Sequence, residues 1–298
     1  MTASTQSSNS NVEALFEIVL VDASVINKII SEIGNPDDNS TFIFTNDGLR
    51  LIVNGDRTSQ VSAFFSTSTF DSFEFRADHS ISYKFSLKDF IEALNMLPEE
   101  TSDDNQVPTT TTLQINYRRR GDPLKMKLDN RTNYSVECDL REFSTPSIQS
   151  LMSFNDFEET AEIYFHSKEL YKYISGLDLT SSVFLKIVMK AGDVPVRMLT
   201  ESPIMGEVEL EIRPNSDRND LGPPIIMRDL NIPPNAIFEF NYRCKFIAPA
   251  LEALRTSNHV RMKCGHSGLL LMEHFHGQEA RDQMVQYFVL SEADRTLT

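Results

Sequence analysis

Leu15-Phe16-Glu17-Ile18-Val19-Leu20, followed by Asp22-Ala23-Ser24-Val25-Ile26-Asn27-Lys28-Ile29-Ile30, has a counterpart about 150 residues further along the chain. The counterpart is Ala161-Glu162-Ile163-Tyr164-Phe165, followed by Ser167-Lys168-Glu169-Leu170-Tyr171-Lys172-Tyr173-Ile174. Each stretch reads as a short alternating strand, a capping residue (Asp22 or Ser167) and a helix with apolar residues three and four apart. A second pair repeats the pattern: Tyr83-Lys84-Phe85-Ser86-Leu87-Lys88-Asp89-Phe90-Ile91 answers Phe240-Asn241-Tyr242-Arg243-Cys244-Lys245-Phe246-Ile247. A strand, a glycine-containing turn and another strand follow each. The chain is one unit written twice, with four similar helices among many strands.

At 298 residues there is room for two units of ordinary domain size. With 40% hydrophobic and 24% charged residues, a packed core is affordable and global disorder is excluded. Trp is absent, so the 20 Phe must supply most of the large apolar volume. No segment approaches the roughly 18 uninterrupted apolar residues of a membrane span, so no membrane partner is expected. Three distant cysteines, Cys138, Cys244 and Cys264, point to a reducing compartment rather than a disulfide framework. The net charge of −15 excludes a protein that grips DNA through a broad basic surface, though not one with a local basic strip.

Turn chemistry organises the first unit. Thr41-Phe42-Ile43-Phe44 passes through Asn46-Asp47-Gly48 into Leu49-Arg50-Leu51-Ile52-Val53, a hairpin. Strands are expected over 61–65, 73–76 and 80–85, then a helix over 86–97 with Ser86 as N-cap and Pro98 beyond its end. A hairpin around Gly121-Asp122-Pro123 and a strand from Tyr134 to Leu140 close the unit. The second unit contains a hairpin around Gly192-Asp193 and a strand from Gly206 to Ile212. Residues 213–234, rich in Pro, Asn and Asp, read as an extended loop insertion, and Pro249 is taken to open the fourth helix, where a first-turn proline fits. The resulting division is a disordered tail over 1–13, a first domain over 14–141, a connector over 142–160, a second domain over 161–292 and a tail over 293–298.

This order resembles a eukaryotic sliding-clamp protomer of the PCNA type over residues 15–290. The local wording is closer to the RAD-one-type subunit of the heterotrimeric nine-one-one checkpoint clamp. The residues that carry this are Thr45-Asn46-Asp47-Gly48-Leu49-Arg50-Leu51, Ser62-Ala63-Phe64-Phe65, Gly176-Leu177-Asp178-Leu179-Thr180-Ser181 and Pro249-Ala250-Leu251-Glu252-Ala253-Leu254 after Tyr242-Arg243. The resemblance implies an α+β clamp fold of two duplicated domains, antiparallel sheets outside and two helices per domain on the inner face. It implies a nuclear, non-enzymatic subunit of a heterotrimeric ring that encircles double-stranded DNA without sequence preference. Such a ring recruits checkpoint and repair proteins, needs no cofactor of its own and is placed by an ATP-dependent loader. A replicative homotrimeric clamp is the alternative within the class, and a metal-dependent exonuclease the alternative outside it.

The four helical segments carry equal numbers of acidic and basic residues, in a chain that is strongly acidic overall. Lys28, Lys88, Lys168, Lys172, Lys245 and Arg255 are therefore the candidate DNA-facing residues, although ordinary solvated faces would show the same count. The resemblance places ring-forming edges on two strands. Their candidate interface residues are Tyr134, Val136, Cys138 and Leu140 on one, and Val208, Leu210 and Ile212 on the other. Unpaired N–H and C=O groups there would be satisfied by a neighbour. Ile148 and Leu151 of the connector, with Phe288 and Leu290 near the C-terminus, resemble the pocket in which clamps hold partner peptides, or else a terminal core strand.

Three further clusters admit chemistry. Arg118-Arg119-Arg120, with Lys125 and Lys127, is either a phosphate or partner contact or a solvated turn. Cys264, His266, His274 and His276 invite zinc. A hairpin about 265–268 would pair Cys264 near Leu269 or Leu270 and leave His274 roughly 14–16 Å away. Glu207, Glu209 and Glu211 alternate along one strand, a row rather than a convergent metal site. No metal and no catalytic residue is assigned.

Overall fold

The computed structural model describes residues 14–33, 39–54, 58–97, 110–130, 134–143, 151–155, 158–214, 227–276 and 282–292. Both predicted tails, and Ile148 of the connector, lie outside them. The first unit runs β1 (Phe16–Leu20), α1 (Ser24–Ile33), β2 (Asn39–Thr45), β3 (Gly48–Asn54), β4 (Ser59–Ser66), β5 (Ser72–Phe75), β6 (Ile81–Ser86), α2 (Leu87–Leu94), β7 (Thr111–Tyr117), β8 (Leu124–Asn130) and β9 (Tyr134–Leu140). The second runs β10 (Thr160–His166), α3 (Ser167–Ile174), β11 (Phe184–Lys190), β12 (Val196–Ser202), β13 (Gly206–Ile212), β14 (Met227–Asn231), β15 (Ile237–Arg243), α4 (Cys244–Glu252), β16 (His259–Gly265), β17 (Leu269–Phe275) and β18 (Gln283–Leu290). The two lists match element for element. No helix among the described residues is long and apolar enough to cross a membrane.

Local chemistry accounts for several of the boundaries. The Asp22 carboxylate accepts from the Ser24 N–H (3.0 Å) at the start of α1, and Ser86 Oγ accepts from the Asp89 N–H (3.2 Å) at the start of α2. Gly48, at φ +144°, ends the two-residue turn between β2 and β3. A Cβ there would strike the Phe65 carbonyl oxygen of β4, so glycine is required by conformation and by space.

Three expectations are corrected. Ser167 is not a cap: His166 holds that position, and Ser167 is buried inside the first turn of α3, with its Oγ 2.8 Å from Ser257 Oγ. The fourth helix starts at Cys244, five residues before Pro249. Pro249 is exposed, so the Lys245 carbonyl that loses its i+4 donor can be solvated by water. The 213–234 segment is not wholly a loop, because β14 pairs with β10 across a bulge.

The strands form three antiparallel sheets, in the orders β5-β1-β7-β8-β9, β14-β10-β16-β17-β18-β4-β3-β2-β6 and β13-β12-β11-β15. The nine-stranded sheet draws on both units and is joined by β18 pairing with β4. The main buried core runs through both halves, and phenylalanine dominates its first half, where Phe16 stacks on Phe44 (3.9 Å between ring centroids) and Phe42 on Phe85 (4.2 Å).

A polar ladder crosses the join on the opposite face. Arg50 of β3 donates to Ser62 Oγ of β4 (2.9 Å) and to Gln286 Oε1 of β18 (2.6 Å). Gln286 donates to Glu273 on β17 (2.8 Å), Glu273 pairs with Arg261 on β16, and Arg261 reaches Tyr164 Oη on β10 (3.1 Å). Burial lowers the Arg50 pKa; for Arg261 burial is again the largest single influence, but the hydrogen bonds and charge interactions with Glu273 and Tyr164 together exceed it and raise the pKa. Glu273 is 2% exposed, so removing either of its partners strands a buried charge.

His274 of β17 is fully buried beside Ser257 (3.1 Å) and the Tyr287 ring. Burial, then the nearby His276, push its pKa down to about 3; burial and Lys28 push His276 to about 4. Folding thus favours the neutral imidazoles. This contribution is present above the unfolded value near 6.5 and is lost as pH falls towards the folded values. Unfolding free energy should decline from about pH 6.5 downward, and in His274→Gln the slope should be shallower by about 1.4 kcal/mol per pH unit. Denaturant titrations across that range measure both slopes; equal slopes would remove His274 as a source.

Candidate assembly edges and nucleic-acid interface

β9 and β13 are end strands of their sheets, and both show the same burial sequence, from exposed at the first residue to buried at the last. Val136 and Cys138 on β9, and Val208 and Leu210 on β13, turn inward and pack against the core. Leu140 (6% exposed) and Ile212 (3%) are core side chains of this chain, so at an edge they offer main chain only. Tyr134, 64% exposed, offers its ring. Ser135, Glu137 and Asp139, with Glu207, Glu209 and Glu211, point outward. Tyr83 braces the end of β9 from below: its hydroxyl donates to Leu140 O (2.6 Å) and accepts from the Leu124 N–H (3.0 Å).

The duplication tells what these edges correspond to. β9 is the ninth strand of the first unit and β18 the ninth of the second; β4 and β13 are the fourth strands. Within the chain, the ninth strand of unit two pairs with the fourth strand of unit one. The reciprocal pair, β9 and β13, is open among the described residues.

The basic candidates fall on helix surfaces. α1 packs on α2, and α3 on α4 and the turn that follows it. Apolar residues such as Ile26, Ile30, Phe90, Leu170 and Ile247 hold these helices to the core. Lys28, Lys88, Lys168, Lys172, Lys245 and Arg255 are all exposed. Lys172 pairs with Glu169 (2.8 Å), Arg255 pairs with Glu252 (3.6 Å) and lies near the Tyr171 ring, and Lys245 sits over Phe246 (4.2 Å).

Leu151, Phe288 and Leu290 do come together. Leu269, Leu271 and Phe288 form a small second cluster on the face of β17 and β18, covered by Leu151, Met152, Phe154 and Leu290. The Met152 N–H donates to Gln60 Oε1 (2.7 Å), Lys263 Nζ lies 4.9 Å from the Phe154 ring centre, and the Glu158 carboxylate accepts from the Ser267 N–H (2.5 Å). The connector is thereby pinned across the sheet.

The remaining clusters separate. Arg118, Arg119 and Arg120 are exposed on the β7–β8 turn. Cys264 pairs with Leu270 and His274 with Val260, as the hairpin reading required. Cys264 sits 3.4 Å from Tyr242 Oη, and burial pushes its thiol up to about 12. The glutamate row is held along its strand by cations: Arg197 reaches Glu209 (3.5 Å) and Glu211 (3.3 Å), and Arg213 reaches Glu211 (2.7 Å). The Arg50–Gln286–Glu273–Arg261 ladder went unread, because its members are scattered over the sequence and meet only through strand register.

The structure matches the crystal structure of Proliferating Cellular Nuclear Antigen from Entamoeba histolytica, with a TM-score of 0.66 and 15% identity, covering 94% of this chain and 100% of that one. The protein therefore has the α+β sliding-clamp fold. The family described as repair protein Rad1/Rec1/Rad17 matches residues 15–275, and the chain belongs to that family. It is accordingly a clamp protein of the DNA-damage checkpoint and repair response, as the resemblance implied. No curated protein matches it by sequence.

The connector cluster makes a separate stability claim. Phe288→Ala should lower the unfolding free energy by about 3 kcal/mol, the low end for a buried aromatic because one wall of its site is the connector. Urea denaturation monitored by circular dichroism measures it; a change under about 1 kcal/mol would show that the cluster is not a packed one.

Proposed function

We propose that this chain is one of three different but related subunits that close into a ring around double-stranded DNA, in the nucleus, as a platform for checkpoint and repair proteins. The observation that carries this reading is the pair of open edges β9 and β13, reciprocal to a join the chain already makes internally. Two such edges on one molecule demand a neighbour at each end, and head-to-tail pairing closes a ring when the rotation permits. The clamp units run over residues 14–141 and 161–292, with 142–160 as connector. Holding DNA topologically is the chain's task; an ATP-dependent loader opens the ring, and no bond is made or broken by this subunit. The glutamate row supports a non-enzymatic reading, since acids strung along one strand do not converge on a metal.

Main-chain polarity makes the edges testable. The Leu290 N–H donates to Thr58 O and the Ser66 N–H to Asp282 O, so alternate, even-numbered N–H groups of β18 and β4 face the internal join. The Tyr134 N–H turns inward to Asn130 Oδ1, which leaves the Ser135, Glu137 and Asp139 N–H groups at the open edge. Glu137→Pro should remove one edge donor without breaking the β8–β9 ladder. Co-expressed with two related clamp subunits, it should lose one neighbour while keeping the other, as read by light scattering after gel filtration. An intact assembly with Glu137→Pro would count against β9 as an assembly edge.

Lys168, Lys172 and Lys245 belong to the DNA-facing set. Replacing all three by Ala should shorten ring retention on nicked circular DNA, equally for all sequences, with a difference that shrinks as salt rises. Ring assembly should be unchanged. Undiminished retention at low salt would exclude these lysines from DNA contact.

A further inference from the structure

The internal join between β18 and β4 is a template for the join between subunits, and it fixes which side chains would meet if the chain paired with itself. In the first hairpin of each unit, the first buried apolar residue of the second strand pairs across to the fourth strand: Leu49 with Phe65, and Val196 with Ile212. Phe65 therefore corresponds to Ile212, Ser62 to Glu209 and Gln60 to Glu207. In the last hairpin, the first residue that enters the main core pairs across to the ninth strand: Leu270 with Val289, and Leu124 with Leu140. Val289 thus corresponds to Leu140, Phe288 to Asp139 and Gln286 to Glu137. Within the chain, Gln286 faces Ser62 and Phe288 faces Gln60, all uncharged. Carried to the open edges, the same register sets Glu137 opposite Glu209 and Asp139 opposite Glu207.

We propose that this charge pattern bars the chain from serving as its own ring neighbour and selects neighbours whose facing strands carry lysine or arginine at those positions. The inference rests on the ring reading above and adds the chemistry of the partner. Like charges directly opposite on adjacent strands destabilise pairing, and both proposed pairs are of that kind. The cations that pair with any of these four acids lie one strand in from each edge, on the far side of the acids from the join. Lys125 is 3.9 Å from Asp139, and Arg197 is 3.5 Å from Glu209. They shield each row without neutralising it: β13 keeps Glu207 free of any ion pair among the described residues, beside Glu201 on β12. At the internal join, where the chain must pair with itself, the corresponding positions hold no charge.

The test is a charge swap on the purified chain alone, followed by sedimentation equilibrium at low ionic strength. Wild type should be monomeric. Glu207→Lys with Glu209→Lys should place lysines against Asp139 and Glu137 and tighten self-association by about tenfold or more. Glu137→Lys with Asp139→Lys should do the same from the other edge. The combined fourfold variant sets lysine against lysine and should return to monomer, although it has lost the most negative charge; this separates a specific pairing from relief of general repulsion. Added salt should weaken association of the two-site variants. All four changes lie at exposed positions, and thermal melts of each variant confirm folding. Monomeric two-site variants, a self-associating fourfold variant or a self-associating wild type would each overturn the inference. The ring reading fails separately, if the wild-type chain does not assemble with related clamp subunits.

Discussion

The return of the last strand, β18, to the first unit's β4 is the constraint on which the architecture depends. It turns two repeats into one body, because the nine-stranded sheet exists only when that pairing forms. The core follows it across, with Val285 and Tyr287 of the second unit lying in the same apolar cluster as Val61 and Ala63 of the first. The ladder from Arg50 through Gln286 and Glu273 to Arg261 lies over the join. Its charges are partly or wholly desolvated, so each stabilises the fold only while its partner is in place. A join made of main-chain hydrogen bonds, apolar packing and interlocked charges is cooperative: weakening one layer exposes the others to water. The same geometry, used once internally, is left unused at β9 and β13, which stand as a complementary pair among the sheet ends of the described residues.

Electrostatics divides the molecule by task. The chain carries −15 overall, yet its helical segments are close to neutral and present six exposed cations. Relative to the body, those faces suit phosphates, and loose contacts of that kind fit a protein held on DNA by topology rather than by grip. The edges carry the opposite sign, in rows where backbone hydrogen bonding alone would accept any strand. Main-chain pairing has no specificity of its own, so side chains on the outward face must supply it. Placing acids at the edges also keeps an unassembled subunit from pairing indiscriminately.

Much of this was legible in order along the chain. Asn46-Asp47-Gly48 announced a tight hairpin because only glycine fits beside the Phe65 carbonyl, and Ser86 announced a helix start because its hydroxyl has one N–H to satisfy. Alternation marked Tyr134–Leu140 and Gly206–Ile212 as strands, and the clamp resemblance singled them out as edges; both are end strands of their sheets. Where local rules misled, a tertiary contact had overridden them. Ser167 has a capping residue's chemistry, but Ser257, ninety positions away, takes up its hydroxyl. Pro249 would end an isolated helix, yet Ile247, Ala250 and Leu251 are buried in the core and hold the turn on either side of it. β14 lies in a polar stretch without strand periodicity and becomes a strand because β10 offers it an open edge.

The amino-acid sequence by itself determined the duplication, most of the element types and the inward and outward faces of the strands. These follow from period, capping and turn chemistry, which act over a few residues. Only the tertiary structure decided that β18 crosses to β4, and with it the register that sets Arg50 against Gln286 and leaves β9 and β13 as reciprocal partners. Register is a relation between residues more than two hundred positions apart, and alternation, which repeats every second residue, restricts it to steps of two without choosing among them. Packing of the completed sheet makes that choice, because only one alignment buries both units' apolar faces in the same core.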